Sequence, residues 1–188
     1  VKLMVIIASV REARVGPAIA RWFLEEARKN GKFELEVVDL KELGLPMLDE
    51  PRHPRFRQYE HDHTRAWSAR VDAADAYVFV TPEYNYSMPP ALVNAVDYLL
   101  HEWTYKPASF VSYGGVSGGT RSVQMAKQLL TGVGIMPIPQ GVFIPFFLKQ
   151  MGSDGVFAGD EGNGKAASAM LDELHKWAGA LAPLRAKA

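Results

Sequence analysis

The run Ala76-Tyr77-Val78-Phe79-Val80 has strand composition and no charge, and it empties directly into Thr81-Pro82-Glu83-Tyr84-Asn85-Tyr86-Ser87-Met88-Pro89-Pro90. An uncharged run of this kind reads as a strand buried on both faces, which is a parallel strand. Beyond the prolines, Leu92, Ala95, Val96 and Leu99 fall at i, i+3, i+4 and i+7, one face of a helix. Pro89 and Pro90 suit a first helical turn, where a missing N–H costs nothing, and Ser87 is a candidate cap. Strand, polar turn and helix in that order allow few folds. The turn lies outside the strand's carboxyl end, which is where open α/β sheets bind ligands. Two tyrosines and an amide there can lie against a flat ring and hydrogen-bond its edge. Ordinary loop chemistry is an equal alternative for this stretch taken alone.

The rest of the chain repeats the alternation. Leu3 to Ala8 reads as a buried strand, Ser9 to Gly16 as a polar loop, and Pro17 to Lys29 as a helix with Ile19, Phe23 and Ala27 on one face, closed by Asn30-Gly31. Phe33 to Leu40 is a second strand. Lys41 to Gln58 is irregular and carries Pro46, Pro51 and Pro54, a length that marks a lid or a piece of subunit contact. A helix over Tyr59 to Ala74 leads into the central strand. Ala108 to Ser112 is the fourth strand, a helix runs to Thr131, and Met136 to Ile144 is the fifth strand. Gly152 to Gly164 reads as a mobile connection. Lys165 to Leu181 is a last helix with Met170, Leu174, Trp177 and Leu181 in register for burial. Such alternation implies parallel pairing and right-handed crossovers, hence a doubly wound three-layer sandwich with a five-stranded parallel sheet. Of the two common strand orders, 2-1-3-4-5 fits five units.

Composition narrows the function by exclusion. A chain of 188 residues fits one domain, 1–188, able to bury about 70% of its unfolded surface. Lys+Arg and Asp+Glu balance at 21 each, so no net field steers it toward nucleic acid or an acidic membrane. There is no cysteine, which removes disulfides, thiolate metal sites and cysteine nucleophiles and fits a cytoplasmic address. The early apolar run Leu3 to Ala8 is too short for a signal or a membrane span.

In this order of strands the loops after the first, third and fourth meet at one rim. The first, Ser9-Val10-Arg11-Glu12-Ala13-Arg14-Val15-Gly16-Pro17, offers a hydroxyl, guanidinium groups and free N–H groups at a helix start, a site for a phosphate. It is neither a P-loop nor a dinucleotide fingerprint. Solvated arginines are its plain alternative. The loop Tyr113-Gly114-Gly115-Val116-Ser117-Gly118-Gly119-Thr120 lets backbone approach a ligand closely. It also contains G-x-S-x-G between strand and helix, so a serine hydrolase with Ser117 as nucleophile is an alternative of another class. His175 is the only histidine after Ser117, and it lies in a helix rather than on a loop. His61-Asp62-His63 lacks a third placed ligand, so no metal is expected.

Together, Ala8-Ser9-Val10-Arg11, Pro82-Glu83-Tyr84-Asn85-Tyr86-Ser87 and Ser112-Tyr113-Gly114 through Gly118-Gly119 resemble the NADPH-dependent FMN reductases, the flavodoxin-like group of quinone, azo-dye and chromate reductases. The resemblance runs from Leu3 to about Gly141. It implies FMN as cofactor, NADPH or NADH as donor, a small-molecule acceptor, and a homodimer or homotetramer. By position it implies that Ser9, Arg11, Arg14, Val15 and Gly16 surround the phosphate. Pro82, Glu83, Tyr84 and Asn85 would line the isoalloxazine and ribityl chain, and Ser112, Tyr113 and Gly114 would close the far side. No protein group is then a catalytic residue, because the flavin carries the hydride. Ala8 stands where glycine is usual, and Arg14 and Gly16 where many members have serine and asparagine. An FMN-binding electron carrier without turnover is the remaining alternative.

Overall fold

Seven consecutive residues, Ala76–Pro82, are buried in one strand, β3, because both its edges and both its faces are covered. The structure is a computed structural model and describes residues 1–185. On one edge β3 pairs in parallel with β1 (Lys2–Ile7), and on the other with β4 (Pro107–Gly114). β2 (Glu34–Asp39) lies outside β1. The free edge of β4 takes two segments, β5 (Met136–Pro137) and β6 (Val142–Pro145), both parallel to it. The order is therefore 2-1-3-4-5, as the alternation implied. The fifth position departs from the expected unbroken strand over Met136 to Ile144. Pro139 has no N–H to give the ladder, and the Gln140 carbonyl turns instead to Ser109 Oγ at 2.6 Å.

Alternation along β1 explains the layers. Leu3, Val5 and Ile7 face α1 (Gly16–Asn30) and α6 (Glu161–Arg185), while Met4, Ile6 and Ala8 face the other core. That second face is covered by α3 (Asp62–Ala73), α4 (Pro90–Asp97) and α5 (Thr120–Gly132). The expected apolar face Leu92, Ala95, Val96 and Leu99 is buried there. Trp67 and Trp103 are also fully buried, and each indole N–H finds a carbonyl of that segment, Ala95 at 2.9 Å and Val96 at 3.2 Å.

Three local expectations change. Pro89, not Ser87, caps α4. The expected connection over Gly152 to Gly164 ends early, because Asp160 and Asn163 exchange side-chain-to-backbone hydrogen bonds at 2.7 and 3.1 Å and start α6 at Glu161. Within α6, Met170 and Leu174 are buried, but Trp177 is 37% exposed.

The segment between β2 and α3 holds a short helix, α2 (Leu40–Leu43), then runs as a strap across α4. The Pro46 carbonyl accepts from Asn94 Nδ2 at 2.7 Å and from the Tyr98 hydroxyl at 3.1 Å, and Leu48 N–H donates to Asn94 Oδ1 at 2.9 Å. Asp49 takes Tyr98 at 2.9 Å and His63 at 3.0 Å, so the histidines of the H-x-H stretch serve to pin the strap.

At the opposite end of the sheet Lys106 is 4% exposed, and its Nζ donates to the Val71 and Asp72 carbonyls at 2.9 Å each, closing the last turn of α3. Burial pushes its ammonium down from 10.5 to about 8, against the pull of Asp72. Between those values the unfolded chain binds more protons than the folded one, so stability rises with pH. Above about pH 10 buried Tyr77, whose phenol burial pushes up, reverses the slope. Urea denaturation should therefore show the wild type gaining stability from about pH 8 to 10. Lys106→Met should lose that rise; a variant keeping it would assign the slope elsewhere.

Candidate active site

The carboxyl rim of the sheet carries a cavity of about 330 Å³ built on the loop between β1 and α1. Ser9 follows β1 and is 1% exposed, yet its hydroxyl has no hydrogen-bond partner among the described residues. The hydroxyl of buried Tyr113, at the end of β4, likewise makes no hydrogen bond of good geometry among the described residues, although Ser9 is near enough to act on it. Both converge on Gly16, where a Cβ would stand 2.3 Å from Ser9 Oγ and 3.0 Å from the Tyr113 oxygen. Gly16 is therefore needed for its missing side chain, and it opens α1 with Pro17 behind it and no side-chain cap. Two buried hydroxyls, the Gly16 N–H and the positive end of a fifteen-residue helix form a cradle for an anion. Val15 lines it, and Arg11 stands exposed at its mouth with no ion pair among the described residues.

Arg14 lines the same cavity but is committed elsewhere. Its Nη1 donates to the Ser9 carbonyl at 2.8 Å and to Asp39 Oδ1 at 2.5 Å, and Glu42 lies 3.7 Å from Nη2. It staples the loop to the end of β2.

The second wall is the turn after β3. Pro82, level with Tyr113 in the ladder, and Tyr84 line the cavity. Tyr84 and Ser87 exchange backbone hydrogen bonds at 2.9 Å, with Asn85 and Tyr86 between them at φ +49° and +69°. That is a two-residue hairpin with both central residues left-handed, held by non-glycine residues at a cost of order 1–3 kcal/mol each. Its sides open into a wider cleft of about 1070 Å³, lined by Arg11, Tyr84 and Asn85 on one side and by Met47, Leu48, Met88 and Val93 on the other. Partial burial pushes the Asp97 carboxyl there above its usual range.

Glu83 faces the third wall. Its side chain is 9% exposed, and it accepts from Ser117 Oγ at 2.8 Å, Arg121 N–H at 3.2 Å and Arg121 Nη1 at 2.9 Å. Those bonds overcome the burial that would raise its pKa and hold the carboxyl below its usual range. Arg121 continues the chain by lying 4.2 Å over the Tyr86 ring. Glu83 is thus a latch between the hairpin and the glycine loop. Ser112, fully buried on the opposite face of β4 from Tyr113, ties that loop from below through Oγ to the Gly118 carbonyl at 2.7 Å. Gly114 lines the cavity, and a Cβ on it would meet Gly119 N at 3.1 Å, so its constraint comes from the loop itself. Phe147 and Leu148, beyond β6, complete the wall, with Phe147 edge-on to Tyr113 at 5.3 Å between centroids. No local motif marked them. Only the parallel topology, which brings the end of the fifth strand to the same rim, signals their place.

The nucleophile alternative fails on this geometry. Ser117 donates to a carboxylate, and His175 packs edge-on against Phe33 in the layer of α1 and α6.

A doubly wound sheet with three loops meeting over an anion cradle and a flat apolar cleft is the flavodoxin-like class of flavin-binding fold. The sequence profile of the NADPH-dependent FMN reductases matches residues 1–148. An NAD(P)H-dependent FMN reductase of Schizosaccharomyces pombe is 44% identical over 126 residues, 66% of this chain and 63% of that protein. An NAD(P)H:quinone oxidoreductase of Solanum tuberosum is 31% identical over 144 residues, 73% of this chain and 72% of that protein. The fold matches a flavoenzyme NAD(P)H:(acceptor) oxidoreductase from Paracoccus denitrificans at a TM-score of 0.74 and 22% identity, covering 94% of this chain and 96% of that one. The chain belongs to the NADPH-dependent FMN reductase family, and its class is that of oxidoreductases using FMN and NAD(P)H.

The latch has a measurable signature. Ser117→Ala removes one of the hydrogen bonds to Glu83 and should weaken FMN only a few-fold in a fluorescence titration. Glu83→Ala strands Arg121 and frees both loops, and should cost at least tenfold, since bonds to a charged group contribute about 1.5–3 kcal/mol. Equal affinities for the two variants would dissolve the latch.

Proposed function

We propose that the Ser9–Gly16 cradle holds the FMN phosphate and that the adjoining cleft admits a flat electron acceptor of the quinone or azo class. The observation that carries the reading is the pair of orphaned buried hydroxyls, Ser9 and Tyr113, against the side-chain-free start of α1. A buried hydroxyl without a partner is costly, on the order of 1–3 kcal/mol, and a phosphate oxygen there relieves both. The residues fit the group.

When bound, FMN takes a hydride from the nicotinamide and passes electrons to the acceptor. The chain's part is to bind and orient. Arg11, the Gly16 N–H and the positive end of α1 neutralise the phosphate. Pro82, Tyr84 and Asn85 form the floor on which a ring system lies, and Gly114 with Gly115 brings backbone to its edge. Arg14, Glu83 and Ser112 act one layer behind by fixing the loops. The cleft's apolar side, Met47, Leu48, Met88 and Val93, takes an aromatic acceptor by stacking and exclusion of water rather than by a dedicated hydrogen-bond set. Names of relatives agree with this class of acceptor: a quinone oxidoreductase in Solanum tuberosum and an NADPH azoreductase in a Bacillus strain.

The whole of 1–188 acts as one domain in this reading, working in the cytoplasm as a homodimer or homotetramer. Met47 is 77% exposed and Leu48 43%, and together they give this part of the strap an apolar outer surface suited to a second copy. No helix among the described residues is long and apolar enough to cross a membrane.

Two arginines, two effects, test the cradle. Arg11→Ala should weaken FMN roughly ten- to a hundredfold while leaving the melting temperature of the flavin-free protein unchanged. Arg14→Ala, which unpairs Asp39 and frees the Ser9 carbonyl, should lower that melting temperature. Riboflavin, which lacks the phosphate, should bind far more weakly than FMN. Equal affinity for the two flavins, or an Arg11→Ala protein at wild-type affinity, would move the phosphate away from this loop.

A further inference from the structure

A second cavity, of about 580 Å³, lies at the other end of the sheet. It is bounded by Ala74 and Asp75 before β3 and by Thr104 to Lys106 around the start of β4, whereas the flavin loops leave those strands at Pro82 and Gly114. At 3.3 Å per residue the two sites stand roughly 20 Å apart. A third side is the strap, through Arg55, Phe56 and Arg57, and Asp72 and His101 also line the cavity.

The charges of this cavity do not cancel. Arg185 is spent on Asp75 Oδ1 at 3.0 Å and the Tyr105 carbonyl at 3.2 Å, and Asp75 also receives Lys2 N–H at 2.8 Å. Lys106 lies in the floor, its ammonium hydrogen-bonded to the Val71 and Asp72 carbonyls, with the Asp72 and Asp75 carboxylates near enough to attract it but not bonded to it. Arg57 reaches Asp72 and Glu102 no closer than 3.6 and 3.7 Å, and half of its side chain is exposed. Arg55 meets no carboxylate among the described residues. Its guanidinium lies 4.6 Å over the Phe56 ring, which fixes its direction at little entropy cost. Two of the lining residues, Arg57 and Tyr105, hold left-handed backbone at φ +49° and +59° without being glycine. Strain of that kind persists where a site needs it. Phe56 and Tyr105 also present exposed rings, 53% and 40%, at the mouth.

We propose that this cavity is a second anion site, which takes the phosphate of a nucleotide between Arg55 and Arg57 and its base against Phe56 or Tyr105. Forked guanidinium donors match phosphate oxygens, and a positive floor with aromatic walls at the mouth suits an anion that carries a ring. The site uses none of the residues of the flavin cradle, so it stands whether or not that reading holds.

Adenosine monophosphate, inorganic phosphate and adenosine should be titrated calorimetrically into FMN-saturated protein. Saturable binding of the nucleotide, tighter than that of phosphate and absent for adenosine, is expected. Arg55→Ala should weaken it roughly ten- to a hundredfold, and Phe56→Ala should narrow the gap between nucleotide and phosphate. Arg11→Ala, in the flavin cradle, should leave it unchanged. Arg55 makes no ion pair among the described residues, and Arg55→Lys is the fallback should the alanine variant not fold; it should keep part of the affinity. No saturable heat to millimolar nucleotide would overturn the proposal. So would adenosine binding as tightly as the monophosphate, or binding lost in Arg11→Ala and kept in Arg55→Ala.

Discussion

Parallel pairing of β3 between β1 and β4 sets the position of everything at the flavin rim. Three strands running the same way end together, and the ladder fixes how they end. Ile7 is level with Val80, Val80 with Val111, and Pro82 with Tyr113. Ala8 N–H extends the β1 ladder to the Val80 carbonyl at 3.0 Å, so Ser9 leaves the sheet at a defined height. Because side chains alternate, Tyr113 points to the α1 face and reaches Gly16, while Ser112 points to the α5 face and ties the glycine loop. A register slip of one residue would exchange those faces and dismantle both walls. The seven buried residues of β3 are the reason no slip is tolerated.

On that frame the site is divided between groups left unsatisfied and groups that hold them in place. The buried Ser9 and Tyr113 hydroxyls make no hydrogen bond of good geometry among the described residues, which is costly, and exposed Arg11 makes no ion pair among them. Arg14, Glu83 and Ser112 are occupied: Arg14 reaches Asp39 and Glu83 reaches Ser117 and Arg121 across distant parts of the chain, and Ser112 closes the glycine loop on Gly118. The hairpin needs this support. Asn85 and Tyr86 sit in left-handed backbone without being glycine, and the Glu83 latch below with Arg121 above Tyr86 supplies contacts that offset the strain.

How much of this the sequence discloses follows from the range of the forces involved. Strands, helices and their order are written in local periodicity, so the layers and the 2-1-3-4-5 sheet were readable, as was the convergence of the three loops. Side-chain direction was not. Arg14 and Arg11 are alike as letters in one polar loop, and only the placement of Asp39 at the end of β2 separates the staple from the free cation. Glu83 sits in the same turn as Tyr84, yet Arg121, 38 residues away, ties its carboxylate to the glycine-loop side of the cavity. Ser117 looked like part of a nucleophile elbow because a short pattern records spacing and not partners. The break in the fifth strand was present as Pro139 and was overridden by the apolar letters on either side.

The electrostatics of the finished site suit chemistry supplied by a cofactor rather than by side chains. Hydrogen bonds hold Glu83 below the usual carboxylate range, burial pushes the Tyr113 and Tyr84 phenols up, and Asp39 raises Arg14 further. Each of these groups is moved away from neutrality, so across the physiological range the walls keep one charge state. That is the reverse of an acid–base enzyme, which brings a pair of groups toward neutral pH and toward each other. Asp97 is the one carboxyl displaced in the other direction, and it stands on the far side of the cleft rather than in the cradle. The cradle therefore presents a fixed field, while Asp97 leaves the cleft beside it the one carboxyl among these groups displaced toward neutral pH.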